Sequence, residues 1–206
     1  MLNKIYIYPT DTVWGIGGDY RSQEIHNAIH FLKGRDEAKA TSILFNDYLH
    51  VKNFFYWPVS WKENNNLEIL KELFLLEATL CLPKSWVKNS LPHFLAPESL
   101  LIGVRCLPFD FLKKIESPLT TTSLNLSGQS ACTSLPEARI IYNDFLQKLK
   151  KSHWHEQVEL EFIEVPELLP SGVPSTVLSY DGKSLQILRQ GKNWEKILHD
   201  TKLFIS

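Results

Sequence analysis

The chain has 206 residues, with 22 lysines and arginines against 23 aspartates and glutamates, for a net charge of −1. Hydrophobic residues make up 44% and charged residues 22%, a composition that excludes extensive disorder and supplies a core without disulfides or a structural metal. The charge balance argues against a protein that works by gripping nucleic-acid backbone, which takes a strongly basic face.

In chain order, Lys4–Tyr8 reads as a strand. It is followed at once by Pro9 and is too short for a signal peptide's apolar region. Ser22 caps a helix in which Ile25, Ala28, Ile29 and Leu32 fall at i, i+3, i+4 and i+7, and Gly34 stops it. A short strand follows at Ser42–Phe45, then helices at Tyr48–Phe55 and Leu67–Leu75. Ala78–Leu82 and Leu101–Arg105 read as strands, Phe109–Ile115 as a short helix, and Leu119–Thr122 as a strand. Ser134 and Glu137 have capping-box spacing for a helix running to about Lys150. Thr176–Tyr180 and Leu185–Leu188 flank Asp181-Gly182, a hairpin signal, and a helix starts at Trp194. The polar runs Lys62–Asn66 and Lys148–Gln157 read as loops. Strands alternating with helices predict an α/β fold, and the hairpin makes the sheet mixed. The expectation is a single domain over residues 1–206. No run reaches the ~20 apolar residues of a membrane span. Cys81, Cys106 and Cys132 stand alone without C-x-x-C spacing, which fits a reducing compartment. A cytoplasmic protein with no membrane partner is expected.

Four stretches gather small or basic polar residues at element ends. Tyr8 to Asp19 runs from a strand through Thr10 and Thr12 into Gly15, Gly17 and Gly18. Read alone, it is a glycine-rich turn. Lys33-Gly34-Arg35, with Lys39 beyond, suits phosphate or carboxylate, although basic residues at a helix end also satisfy the helix dipole. Thr120 to Gly128 crowds hydroxyls and Asn125 at the end of a strand, and ligands in α/β sheets sit beyond such ends. Ser175 and Arg189 are brought to one end of the predicted hairpin. No G-x-S-x-G, Walker A or G-x-G-x-x-G motif is present. His26 and His30 have the i, i+4 spacing of a helical metal pair but lack an accompanying carboxylate signature, so a metal site is not expected. His153 and His155 read as surface residues, and Trp57, Trp61 and Trp86 as packing.

Taken in order, these stretches resemble the YrdC/Sua5 family, also called TsaC, of L-threonylcarbamoyladenylate synthases. The Y-P-T-[DE]-T-V-Y-G motif is Tyr8 to Gly15, with Trp14 in the usual Tyr place. K-x-R is Lys33-Gly34-Arg35, and V-R is Val104-Arg105. S-x-N is Ser123-Leu124-Asn125, P-S-T-[IV] is Pro174 to Val177, and L-R-x-G is Leu188 to Gly191. Asp36 stands where proline usually follows K-x-R, Thr79 alone remains of P-G-P-x-T, and Leu44 aligns with a histidine of some members. The resemblance implies a twisted mixed sheet with flanking helices around a concave, positively charged cavity. It implies synthesis of threonylcarbamoyl-AMP from L-threonine, bicarbonate and ATP, with Mg²⁺ bound alongside ATP and pyrophosphate released. The adenylate would feed, through partner proteins, the threonylcarbamoyladenosine at position 37 of tRNAs reading codons that begin with A. Direct tRNA binding would be weak or absent. Lys33 and Arg35 would be catalytic. They would bind ATP together with Lys39, Ser123, Asn125 and Arg189, while Thr10, Thr12, Arg105 and Ser175 would hold threonine. The alternatives are an RNA-binding or ribosome-maturation module and a catalytically weakened paralogue.

Overall fold

The computed structural model describes residues 3–58, 66–115, 117–181 and 184–202. Strand β1 (Asn3–Tyr8) alternates Ile5 and Ile7 with Tyr6 and Tyr8, and a strand sends successive side chains to opposite faces. Ile5 and Ile7 pack with Ile25, Ile29 and Leu32 of α1 (Gln23–Lys33) and with Phe145 and Leu149 of α5 (Leu135–Lys150). Tyr6 and Tyr8 pack with Leu44, Leu107 and Leu119 on the other face. A third cluster, around Phe45, Phe55, Phe74 and Leu80, joins β3 (Ser42–Phe45) and β4 (Ala78–Pro83) to α2 (Tyr48–Phe54) and α3 (Asn66–Leu75).

The remaining elements are β2 (Gly15–Asp19), β5 (Leu101–Cys106), α4 (Asp110–Lys113), β6 (Leu119–Ser123), β7 (Val158–Phe162), β8 (Thr176–Tyr180), β9 (Leu185–Arg189) and α6 (Trp194–Lys202). Nine strands form one sheet in the order β7-β1-β2-β6-β3-β5-β4-β8-β9. β1 with β7, β3 with β5 and β4 with β8 run parallel. The other neighbours run antiparallel, so the sheet is mixed, as the hairpin predicts.

The helix ends follow their sequence signals. The Ser22 side chain accepts from the Ile25 N–H, and Gly34 closes α1 in the left-handed region at φ 59°. Ser134 accepts from the Glu137 N–H, but the Glu137 carboxylate reaches back to the Thr133 N–H rather than to that of Ser134.

Two readings are corrected. Gly15–Asp19 is not a turn but a central strand, paired with β1 on one side and β6 on the other. A Cβ on Gly17 would lie 2.0 Å from the Thr120 carbonyl oxygen, so the glycines serve close backbone approach within the sheet. Lys148–Gln157 is not a loop throughout: Lys148–Lys150 is the last turn of α5, and a 3₁₀ turn follows at His153–Glu156. That turn leads into β7, an edge strand for which no element was expected. Lys62–Asn65 and Trp61 lie outside the described residues, as do Gly182 and Lys183 between β8 and β9, while Asn66 opens α3.

Candidate functional site

Strand alternation builds the site. Leu44 of β3 lies opposite Arg105 of β5. Thr79 of β4 lies opposite Val177 of β8, and Val177 opposite Arg189 of β9. Thr79 is one residue beyond the Leu80–Val104 pair and so falls beside Arg105. Arg189, Val177, Thr79, Arg105 and Leu44 therefore form one row across five strands, and all five line a cavity of about 200 Å³. Ser42, Thr121, Ser123, Thr10, Thr12 and Ser175 complete much of the wall. The site thus lies against one face of the sheet, with loop residues at its rim, rather than only beyond the strand ends. Its lining contains two arginines and no carboxylate.

At one end of the cavity, β6 meets the end of α1. Lys33 is 2% exposed. Its Nζ donates to the Ser123 carbonyl and, at 3.0 Å, to Asn125 Oδ1. Ser123 Oγ donates to the same amide oxygen at 2.7 Å. Arg35 donates from Nη1 to Thr122 Oγ1 at 2.8 Å and from Nη2 to the Ala40 carbonyl at 2.7 Å, while its buried Nε has no partner among the described residues. Burial first, and the nearby Arg35 charge second, lower the Lys33 pKa to about 7. Among the described residues both cations are met only by neutral acceptors, two backbone carbonyls, an amide oxygen and a hydroxyl, so the arrangement can take up an anion.

At the other end, Arg189 donates from Nε and Nη2 to the Ser175 carbonyl at 3.0 and 2.9 Å, and from Nη2 to Ser175 Oγ. Ser175 Oγ also shares a 2.8 Å hydrogen bond with Thr79 Oγ1. β6 and β9 stand five strands apart in the sheet order, so Arg189 faces Ser123 across the cavity. Arg105, 6% exposed, donates to the Ala78 carbonyl and pairs with Asp11. Thr10 Oγ1 lies 3.0 Å from Thr12 Oγ1 and donates to the Val13 carbonyl at 2.6 Å. The latter bond closes the loop that carries both threonines.

Of the residues expected from sequence, Thr10, Thr12, Arg105, Ser123, Ser175 and Arg189 line the cavity. Lys33, Arg35 and Asn125 adjoin it through their bonds to Thr122 and Ser123. Lys39 does not join them: it is exposed on the turn closed by its N–H to the Asp36 carbonyl. Sequence reasoning gave Asp11, Thr79 and Cys81 no role in the site. Thr79 and Cys81 carried a signal, the period-two spacing of β4, but it becomes legible only once the neighbouring strands are known. His26 and His30 are buried and stacked, with ring centroids 4.2 Å apart. No cluster of three or more metal-ligating residues occurs among the described residues. His153 and His155 are exposed, and Trp57 and Trp86 pack on the third core cluster.

The Sua5/YciO/YrdC family model, described as telomere recombination, matches residues 2–191. A threonylcarbamoyl-AMP synthase of Photorhabdus laumondii is 27% identical over 150 residues, which cover 69% of this chain and 75% of that protein. Its namesake in Haemophilus influenzae is 24% identical over 179 residues, covering 82% and 93%. The crystal structure of P. abyssi Sua5 complexed with L-threonine superposes with a TM-score of 0.70 at 20% identity. That likeness covers 95% of this chain but 54% of the P. abyssi protein, about half its length, and at such identity it speaks for the fold.

Proposed function

The chain belongs to the Sua5/YciO/YrdC family, and from that premise we propose that it condenses L-threonine, bicarbonate and ATP into threonylcarbamoyl-AMP, with release of pyrophosphate. One observation carries the reading: cations from α1, β5 and β9 converge, with a ring of hydroxyls and no lining carboxylate, on one cavity against the sheet. The relatives named threonylcarbamoyl-AMP synthase support it.

The chemistry suits such a site. Threonine's neutral amine and bicarbonate form a carbamate with loss of one water, and the carbamate's anionic oxygen attacks the α-phosphorus of ATP as the bond to the β-phosphate breaks and pyrophosphate leaves. The attacking group already carries its charge, so this step needs alignment and charge neutralisation more than a protein base. Lys33 and Arg35 meet the phosphates, with Ser123 and Asn125 fixing Lys33 and offering polar contacts. Lys33 and Arg35 act here as catalytic residues because they neutralise the displacement. Arg189, beside Ser175 at the opposite end, reaches toward the phosphates from across the cavity. Arg105, held by Asp11 and the Ala78 carbonyl, takes the threonine carboxylate with its remaining donors. Thr10, Thr12 and Ser175 line the amino-acid end. Magnesium enters as part of the nucleotide substrate: it favours oxygen ligands and keeps several waters, and the lining offers it no carboxylate. The product would pass to partner proteins that complete threonylcarbamoyladenosine at position 37 of tRNAs reading codons that begin with A.

The test is product detection by mass, together with pyrophosphate release, omitting each substrate in turn. Synthesis that requires both threonine and bicarbonate is expected. Lys33→Ala and Arg35→Ala should each lose at least ~100-fold in rate while remaining folded. Pyrophosphate release without threonine, or full activity in both folded variants, would overturn the assignment.

A further inference from the structure

The buried histidine pair beside Arg35 has no part in the chemistry above, yet one of its members is tied to the loop that presents that arginine. His30 Nδ1 lies 2.9 Å from the Asp36 carbonyl oxygen. A carbonyl can only accept, so Nδ1 carries the proton, and in the neutral ring Nε2 does not. Nε2 is buried and has no partner among the described residues. The His30 backbone carbonyl also accepts from the Arg35 N–H at 2.9 Å. One residue therefore holds the loop on both sides of the Arg35–Asp36 peptide link: by backbone at Arg35 and by side chain at Asp36. The chain has just reversed through Gly34 in the left-handed region, and the guanidinium beyond it is tied at its tip to Thr122 Oγ1 and the Ala40 carbonyl, so His30 holds the backbone from which that side chain starts. Lys39 N–H, at 3.1 Å, shares the same Asp36 carbonyl.

His26 forms the back wall. It stacks on His30 at 4.2 Å and packs on Phe94 at 4.9 Å, and neither of its ring nitrogens has a partner among the described residues. Among the described residues the pair thus has three unpartnered ring nitrogens. The adjacent Arg35 charge and the burial both oppose placing a cation there, so neutral rings, rather than a metal site, fit this place.

We propose that His30, as its neutral Nδ1–H tautomer, is a positioning residue that sets the direction of the Arg35 guanidinium for a polyphosphate. This rests on the reading of Arg35 as a phosphate contact. An alkyl side chain at position 30 would fill the core but release the Asp36 carbonyl. An asparagine amide can reach a similar donor position, because its Nδ2 stands where the histidine's Nδ1 does.

The experiment measures binding of ATP and of inorganic tripolyphosphate, by calorimetry, to the intact protein and to His30→Leu, His30→Asn and Arg35→Ala. Thermal melts establish that each variant is folded. Nitrogen-15 NMR of the imidazoles gives the tautomer independently of any ligand. The inference expects an Nδ1–H signal for His30, affinity about tenfold weaker in His30→Leu, and recovery to within about threefold in His30→Asn. Wild-type affinity in folded His30→Leu, with Arg35→Ala weakened, overturns the positioning role and leaves the phosphate reading intact. Wild-type affinity in Arg35→Ala overturns the phosphate reading and this inference with it. Should His30→Leu not fold, an unprotonated Nδ1, or a His30→Asn as weak as Arg35→Ala, overturns the role on its own.

Discussion

Lys33 is a buried ammonium whose two bonded acceptors, a carbonyl and an amide oxygen, are neutral. Burial holds its pKa near 7 against the usual 10.5, so close to neutrality the free protein divides between charged and uncharged Lys33. The sign follows from linkage. Between those two values the unfolded chain binds the proton more tightly than the folded one, so this residue makes the free protein more stable as pH rises through that window. A bound triphosphate reverses the balance by supplying the missing negative charge. ATP binding at pH 8 should therefore take up close to one proton. Calorimetry in two buffers of different ionisation heat measures this, and affinity should weaken as pH climbs from 7 to 9. Binding without proton uptake would mean that Lys33 does not meet the phosphates. The Arg105–Asp11 pair gives a second expectation. Arg105 is 6% exposed and Asp11 Oδ1 is buried without a partner among the described residues, so Asp11→Asn leaves a buried guanidinium short of its counter-charge. A loss of about 1–3 kcal/mol in denaturant unfolding is expected. An unchanged midpoint would show that the pair adds nothing to the fold.

Strand β2 shows what an element needs when its neighbours crowd it. Gly17 pairs with Tyr6 on one side and Thr121 on the other, and a Cβ there would run into the Thr120 backbone. Gly17→Ala should cost on the order of 3 kcal/mol or more, because rigid ladder backbone has to move. A thermal melt checks it, and a wild-type midpoint would mean that β2 and β6 separate easily. This strand was also the hardest to read from sequence. Glycine has poor strand propensity, and its use here is set by a contact with a strand more than 100 residues later. α1 was legible to within a residue, because its cap, apolar spacing and terminal glycine are all local signals. β7 was legible in principle, since Val158-Glu159-Leu160-Glu161-Phe162 alternates, but it was masked by the polar run before it. In the site, the motif residues were readable as chemistry from their types. That Arg189, Thr79, Arg105 and Leu44 share one row was not, because the row depends on register between strands distant in sequence. Lys39 shows the converse: closeness to Lys33 and Arg35 in sequence did not bring it to the cavity.

At the scale of the whole molecule, acid is expected to find the histidine pair first. Burial chiefly, then the neighbouring His30 and Arg35, lowers the His26 pKa to about 4, and burial with Arg35 lowers that of His30 as well. For a base whose folded value lies below its unfolded value of 6.5, the unfolded chain takes the proton first. The histidine contribution is therefore full above pH 6.5 and is lost as pH falls toward 4, by as much as about 3 kcal/mol for His26 alone. The carboxylates with lowered values, Asp19, Glu24 and Asp110, act in the same direction, but their windows open below their ordinary values of 3.8 to 4.5. The window between pH 5 and 6.5 thus belongs to the histidines. Urea unfolding at pH 6.5 and pH 5, below the Lys33 window, measures the difference, and His26→Leu should flatten it, since an apolar side chain against Phe94 has no proton to gain. Equal stability of the wild-type protein at the two pH values would mean that both rings accept a proton within the fold. They would then have partners or water that the buried, stacked arrangement does not provide, and the neutral wall behind Arg35 would have to be abandoned.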